Sequence, residues 1–197
     1  MPLDELDVFV HPDGRCDSAA VGSGTRVWAF AHILAGAVVG RNCNVCDGVF
    51  IEAGATIGDG VTVKNQVMIF EGVTIEDDVF IGPGVIFTND LNPRAFIKKH
   101  GDQLVQTRIC QGATLGAGSV VVCGTTIGKY SLIGAGSVVV RDVPAHGFVV
   151  GNPGRLIGWA CTCGLRLPRD LTCSCGRRWK SVRAAEGIES IDISQGR

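Results

Sequence analysis

Four cysteines near the C-terminus carry the first chemical signal. Cys161-Thr-Cys163-Gly164 is followed, about ten residues on, by Cys173-Ser-Cys175-Gly176. Four thiolates so placed can hold a tetrahedral Zn²⁺ in a small ribbon. The one-residue spacer is tighter than the usual Cys-x-x-Cys knuckle, so free thiols and disulfides stand beside the metal reading. With protein sulfur as every ligand, a bound zinc is structural and replaces a core that so short a segment cannot build. The basic run Arg177-Arg178-Trp179-Lys180 beside it reads as the solvated edge of that ribbon. Cys43-x-x-Cys46 has the spacing of a redox pair but not the strand–helix context such a pair needs.

A second group sits in the polar stretch between Phe87 and Ile109. It holds Asn89-Asp90, then Arg94, then Lys98-Lys99-His100. Asp90 and His100 are of the type that accepts a proton. The cations suit an anionic partner. Further on, Ala117-Gly118 and Ala135-Gly136 lie eighteen residues apart, and Arg141 and Arg155 offer guanidinium forks for phosphate.

These groups need a scaffold, and the periodicity supplies it. Every sixth residue from Val21 to Phe87 is aliphatic or aromatic, as is every sixth from Ile109 to Val139. Period six is neither helical nor simple strand alternation. It fits short strands joined by tight corners. Gly follows the apolar residue at 22, 40, 58, 82, 116, 128 and 134, at a corner that needs positive φ or has no room for a side chain. Four residues after the aliphatic position come Ala31, Ala37, Cys43, Ala55, Ala113, Ser119 and Ser131, sized for a narrow interior. The fold class expected is all-β, a parallel β-helix whose coils bury one continuous core.

The expected organisation is a β-helix over 10–143 with an excursion loop at 88–108. A cap segment over 144–160, helical or extended, follows. A cysteine-rich ribbon covers 161–183, and a frayed tail 184–197. Loops that leave a rigid scaffold commonly carry a site. Pro144 and Pro153 argue against regular coils beyond Val139.

Composition narrows the function. Eighteen basic and nineteen acidic residues give a net charge of −1, which does not suit a nucleic-acid partner. No apolar run reaches transmembrane length. Met1 to Val10 carries acidic residues and no basic n-region, so a cytoplasmic protein is expected. Nine cysteines, an odd number, do not make a full disulfide framework.

Three segments carry a resemblance: Arg26-Val-Trp28-Ala-Phe-Ala-His32, Phe87-Thr-Asn89-Asp90-Leu-Asn92-Pro93-Arg94 and Val150-Gly151-Asn152-Pro153-Gly154-Arg155. Over about residues 10 to 160 the chain resembles the nucleotide-sugar N-acetyltransferases of the hexapeptide-repeat superfamily. It is most similar to those acting on UDP-2-acetamido-3-amino-2,3-dideoxyglucuronate in bacterial surface-polysaccharide synthesis. Enzymes acting on dTDP-3-amino-3,6-dideoxyhexoses are also similar. Gly154 departs from the Ala usual at that place. The resemblance implies a left-handed helix of eighteen-residue coils, about six of them here, in a homotrimer. It implies acetyl-CoA as co-substrate and a nucleotide-linked amino sugar as acceptor, and neither nucleic acid nor membrane as partner. Arg26, Trp28, His32, Lys64, Asn65, Phe70, Asn89 and Arg94 fall on the substrate side, with Asn89 and Asp90 nearest the chemistry. Gly112, Ala113, Ala117, Gly118, Ala135, Gly136, Arg141 and Arg155 fall on the CoA side, with a backbone N–H near Gly112 or Ala113 facing the thioester oxygen. A protein base is not required, because a sugar amine is partly neutral near neutral pH and positioning contributes most. Two other functions compete. A histidine-ligated hydratase on the same scaffold needs a regular His cluster, which His11, His32, His100 and His146 do not suggest. A scaffold subunit that has lost its chemistry predicts no CoA binding.

Overall fold

In the computed structural model, which describes residues 7–181 and 187–191, nearly every hexad is a two-residue strand followed by a corner. The strands stack into three flat faces of a left-handed prism. Face I begins at Phe9–Val10 and reaches Gly147–Val150 through eight parallel strands. A ninth, Arg155–Trp159, runs antiparallel along its edge. Face II has seven strands, from Arg15–Cys16 to Val138–Val139. Face III has five, from Val38–Val39 to Thr126–Ile127, extended by single bridges at Val21↔Val39 and Ile127↔Val143.

The prism therefore has about eight turns rather than six. The period-six series misses the end coils because their lengths differ. Val10 pairs with Val27, an offset of 17, where Val27 to Val45 is 18. Counting back in sixes from Val21 thus lands on outward residues. At the other end Ile133 pairs with Val149, an offset of only 16, because Val139 to Val143 spans four residues rather than six. Val143 stands on the last described rung of face III, so the N–H that Pro144 lacks has no next strand to serve, and the solenoid continues past it to Gly147–Val150. Residues 155–159, expected as a helix or an extended cover, are strand.

The second residue of each two-residue strand of the prism points inward, as does the third of Val73–Ile75, Thr107–Ile109 and Gly147–Val150. Ile33, Ile51, Ile69, Ile81, Ile109, Leu115, Ile127 and Ile133 are wholly buried, and the small residues at 31, 37, 43, 55, 113, 119 and 131 are buried beside them. The inner columns pass apolar surface from rung to rung, so no coil is stable alone.

Positive φ recurs every sixth residue along most of the prism, at Gly24, Phe30, Gly36, Asn42, Gly48 and onward to Gly136. The glycines directly after the aliphatic position serve the other purpose. A Cβ on Gly82 would lie 2.7 Å from the Ala117 nitrogen, and one on Gly116 2.5 Å from that of Ala135. They are glycine because the next rung leaves no room.

Between Phe87 and Thr107 the chain leaves the corner joining faces II and III, and it returns sixteen residues out of step, since Ile75 pairs with Ile109. No described helix is long and apolar enough to cross a membrane. Beyond the ribbon, Ile188–Ser190 pairs antiparallel with Trp179–Ser181, where a frayed tail was expected. Residues 182–186 and 192–197 of that expected tail and ribbon edge lie outside the described residues.

Candidate active site

The excursion loop is held down at its neck and near its end. Its neck closes where the Val105 N–H donates to the Asn89 carbonyl at 2.9 Å. Below it, consecutive rungs present Glu52 and Glu71 at the same corner, and the Glu71 N–H donates to the Glu52 carboxylate at 2.8 Å. Glu71 in turn accepts the Gly101 N–H at 3.1 Å, fixing the far end of the loop. Glu52, Glu71, Asn89, Asp90, Arg94, Lys98, Lys99 and His100 line an open cleft of about 430 Å³ with apolar loop residues.

Inside that cleft Lys99 Nζ donates to Asp90 Oδ1 at 2.6 Å, and the Asn92 N–H donates to the same oxygen at 2.8 Å. The Lys99 hydrogen bond, then that of Asn92, holds the Asp90 carboxyl below the usual carboxylate range. Asp90 is thus ionised at neutral pH and is a weak base; its geometry is that of a loop staple. Asn89 is half-buried, and its side-chain amide reaches only the Glu71 carbonyl, at 3.4 Å.

The corner joining faces I and II forms a second, longer feature. Its N-terminal half carries Trp28, Lys64 and Asn65. Trp28 donates its indole N–H to Asn44 at 2.7 Å and packs on Phe9 with the rings tilted and their centroids 5.5 Å apart, and Asn65 donates to Asp47 at 3.1 Å. Its C-terminal half is bare backbone. The Gly118 N–H donates to Pro83 and the Gly136 N–H to Ala117, so these corners stack on successive rungs. A Cβ on Gly84, Gly118 or Gly136 would meet nothing within 4 Å. Ala117 and Ala135 are exposed beside them, leaving a side-chain-free trough.

Beyond the trough's far end, Arg141 and Arg155 line one small cleft of about 110 Å³ with Pro144 and Leu156. A shallow apolar hollow of about 180 Å³, lined by Gln66, Met68, Phe70 and Ile86 among others, crosses face II between the two corners.

Some expected site residues fall elsewhere. Gly112 and Ala113 stand at the third corner, joining faces III and I. Their N–H groups already donate to Asp77 and Cys110, Ala113 is buried, and the Tyr130 ring covers Gly112. Neither can face a thioester oxygen. Arg26 lies on the outside of face I, exposed. His32 lies on face II three rungs before Asn89, about 14 Å along the axis at roughly 4.8 Å per rung. Its Nε2 meets Asp17 at 2.9 Å, and Arg15 pairs with the same carboxylate. The Arg15 hydrogen bond, then that of His32, lowers the Asp17 pKa. Sequence reasoning missed Glu52, Glu71 and the exposed Phe30. The signal was a weak one: an acidic residue at the same corner of two successive coils, one residue after Ile51 and two after Ile69.

The chain shares 49% identity over 92% of its length with a dTDP-3-amino-3,6-dideoxy-α-D-galactopyranose 3-N-acetyltransferase of Aneurinibacillus thermoaerophilus, covering 94% of that protein. The family described as "Bacterial transferase hexapeptide (six repeats)" matches residues 18–53 and 106–141. The chain belongs to the hexapeptide-repeat acetyltransferases.

Among solved acetyltransferases of this kind, the acetyltransferase domain of PglB from Neisseria gonorrhoeae, in complex with acetyl coenzyme A, is 25% identical. It superposes with a TM-score of 0.56 over 77% of this chain and 58% of that one. A hexapeptide-repeat acetyltransferase from Vibrio cholerae is 26% identical, with a TM-score of 0.50 over 63% and 70% of the two chains. As a hexapeptide-repeat acetyltransferase, this chain has two features its solenoid alone does not require: the excursion loop with its glutamate anchors, and the four-cysteine ribbon.

Proposed function

We propose that the enzyme transfers the acetyl group of acetyl-CoA to the 3-amino group of a dTDP-linked 3-amino-3,6-dideoxyhexose. The observation that carries this reading is the near full-length relationship to an acetyltransferase named for such a sugar. It displaces the UDP-linked glucuronate that the sequence motifs first suggested. The cleft itself does not choose the acceptor: Lys99 is paired with Asp90, and Glu52 and Glu71 line it, but so do Arg94 and Lys98, which have no acidic partner among the described residues.

In this reading the neutral amine attacks the thioester carbonyl, a C–N bond forms, and the C–S bond breaks to release CoA. The amine's extra proton passes to solvent. The chain's part is positioning, which can supply much of the rate. Asn89 orients the sugar. The trough at Gly84, Gly118 and Gly136 takes the pantetheine arm close to backbone, and Arg141 and Arg155 meet CoA phosphates. Trp28 and His32, three rungs toward the N-terminus, hold the nucleotide, with Asn65 two rungs after Trp28 and one before Gly84.

The trough and the loop cleft flank opposite edges of face II, so one chain does not close the site. Met68 and Ile86 on that face are each 52% exposed, an apolar stripe suited to burial against another copy. A homotrimer brings the loop of one protomer to the trough of the next. A solution mass of three chains supports this arrangement, and an active monomer excludes it.

Thiol release from acetyl-CoA tests the reaction, using dTDP- and UDP-linked 3-amino sugars with and without a 6-carboxylate, plus a 4-amino control. Turnover confined to a dTDP-linked 6-deoxy 3-amino sugar is expected. Preference for the UDP-linked uronate would restore the other acceptor. The trough has its own test. Ala135→Arg fills open space without touching the core, so it should raise KM for acetyl-CoA by about tenfold or more, the loss of roughly 1.4 kcal/mol of binding. It should leave Tm within a degree or two. An unchanged KM would place CoA elsewhere.

A further inference from the structure

The ribbon after the solenoid is one short loop built twice. In Cys161-Thr-Cys163-Gly164 the Gly164 N–H returns to the Cys161 carbonyl at 2.9 Å, and the Cys161 N–H donates to Leu165 at 2.9 Å. In Cys173-Ser-Cys175-Gly176 the Gly176 N–H returns to Cys173 at 2.9 Å, and the Cys173 N–H donates to Arg177 at 2.8 Å. Both glycines sit at positive φ, 86° and 91°, which is why each pair is followed by glycine. Isolated bridges, Ala160↔Arg166 and Thr172↔Arg178, close the two loops in the same way.

The two loops face each other through sulfur. All four Sγ atoms lie within 4.8 Å of one another, with Cys161 to Cys175 at 3.7 Å and Cys163 to Cys173 at 3.6 Å. Zn–S bonds of about 2.3 Å place the sulfurs of a tetrahedron about 3.8 Å apart. The donor set therefore fits a tetrathiolate ion. The apolar packing does not suffice by itself. Beside Cys161 and Cys173, the cluster holds, among the described residues, Leu167, Trp179 and Ile188 as buried members, with Trp159 and Leu171 against it. A core this small ordinarily needs a disulfide or metal staple.

The ribbon is also joined to the last rung. Trp179 packs on His146 with ring centroids 4.4 Å apart, and His146 stacks on Tyr130 at 5.3 Å. His146 Nδ1 meets the Ala160 carbonyl at 2.9 Å, and the Ala160 N–H donates to the His146 carbonyl at 2.7 Å. Ala160 directly precedes the first cysteine. Arg155–Trp159, the strand leading into the ribbon, covers the open edge of face I.

We propose that Cys161, Cys163, Cys173 and Cys175 bind one Zn²⁺, and that this ion is the clasp of an end cap. It fixes the ribbon so that Trp179 clamps the His146 corner and holds Arg155–Trp159 against the last rung. The ion has no open coordination position and takes no part in acetyl transfer. The inference stands whichever sugar the enzyme accepts, since its test does not use turnover.

The experiment uses the full chain, purified under reducing conditions without chelator. Metal analysis should give one zinc per chain, released as four thiols are titrated by a mercurial. Cobalt exchanged into the site should show the visible spectrum of a tetrahedral thiolate complex. Removing zinc, or substituting the two exposed ligands as C163S/C175S, should speed amide exchange about tenfold or more at Gly147–Val150 and Arg155–Trp159. The central rungs should keep their protection, which separates loss of the cap from failure to fold. Trp179→Ala should retain one zinc yet show the same faster exchange at those strands. Four free thiols with no metal, or a mass four hydrogens lower from two disulfides, overturns the metal site. Unchanged exchange after zinc removal overturns the clasp.

Discussion

Asn89→Ala should lower kcat/KM for the nucleotide sugar by about 10²-fold, with KM for acetyl-CoA nearly unchanged. The size follows from what misplacement by an ångström or so costs a reaction that depends on orientation. Asn89 suits this test because its two roles come apart. Its carbonyl closes the loop neck by accepting the Val105 N–H, and that bond survives in alanine. Its side chain makes a single long contact to the Glu71 carbonyl, so removing it leaves no buried partner stranded. The loop should stay in place while the sugar loses its guide. Steady-state kinetics with each substrate varied in turn provide the check. A fall in kcat with both KM values steady marks an interaction made only in the transition state. A kcat/KM within twofold of the parent would remove Asn89 from the site. A fall accompanied by a lower Tm would show that the loop itself had moved.

Ile81→Ala should destabilise the solenoid by about 2–5 kcal/mol, the usual cost of truncating a buried isoleucine. Ile81 is wholly buried, paired with Val63 on one rung and Leu115 on the next, so its cavity opens in mid-column. Neighbours in a stacked prism are held by their own ladders and collapse poorly into such a gap. For a chain of this length each kcal/mol shifts Tm by about 2–4 °C. The control is the preceding residue: Phe80, 41% exposed on the outside of face I, should cost far less as alanine. Denaturant or thermal melts of the two variants decide the matter. Equal losses would mean that Phe80 is buried in the working assembly or that the inward column is misassigned.

The prism was legible because its signal is local. An inward position every six residues must be apolar, and a corner every six residues must turn, so both print themselves on the sequence. The loop was legible as a break in that rhythm, and the cysteine pairs as a motif. The length of the end coils was not. A single residue fewer before Val21, and two fewer after Val139, changes which residue points inward, and only the ladder register reveals it. Spacing left two explanations for the glycine after each aliphatic residue. Contacts from the next rung chose lack of room at Gly82 and Gly116, while positive φ fell two residues later.

Site chemistry divides in the same way. By itself the sequence determined that Asn89 and Asp90 open an excursion from a rigid scaffold and that small residues recur on one corner of successive coils. The tertiary structure decided what those residues are free to do. Asp90 is spent on Lys99, the amides of Gly112 and Ala113 are spent on Asp77 and Cys110, and Glu52 and Glu71, far from the loop in sequence, anchor it. The physical reason is that periodicity fixes the side of the prism on which a residue stands. Whether its hydrogen-bonding groups remain available depends on how the chain closes on itself: Gly112 meets Asp77, and Gly101 meets Glu71, only when the coils stack, and Asp90 meets Lys99 only when the loop folds.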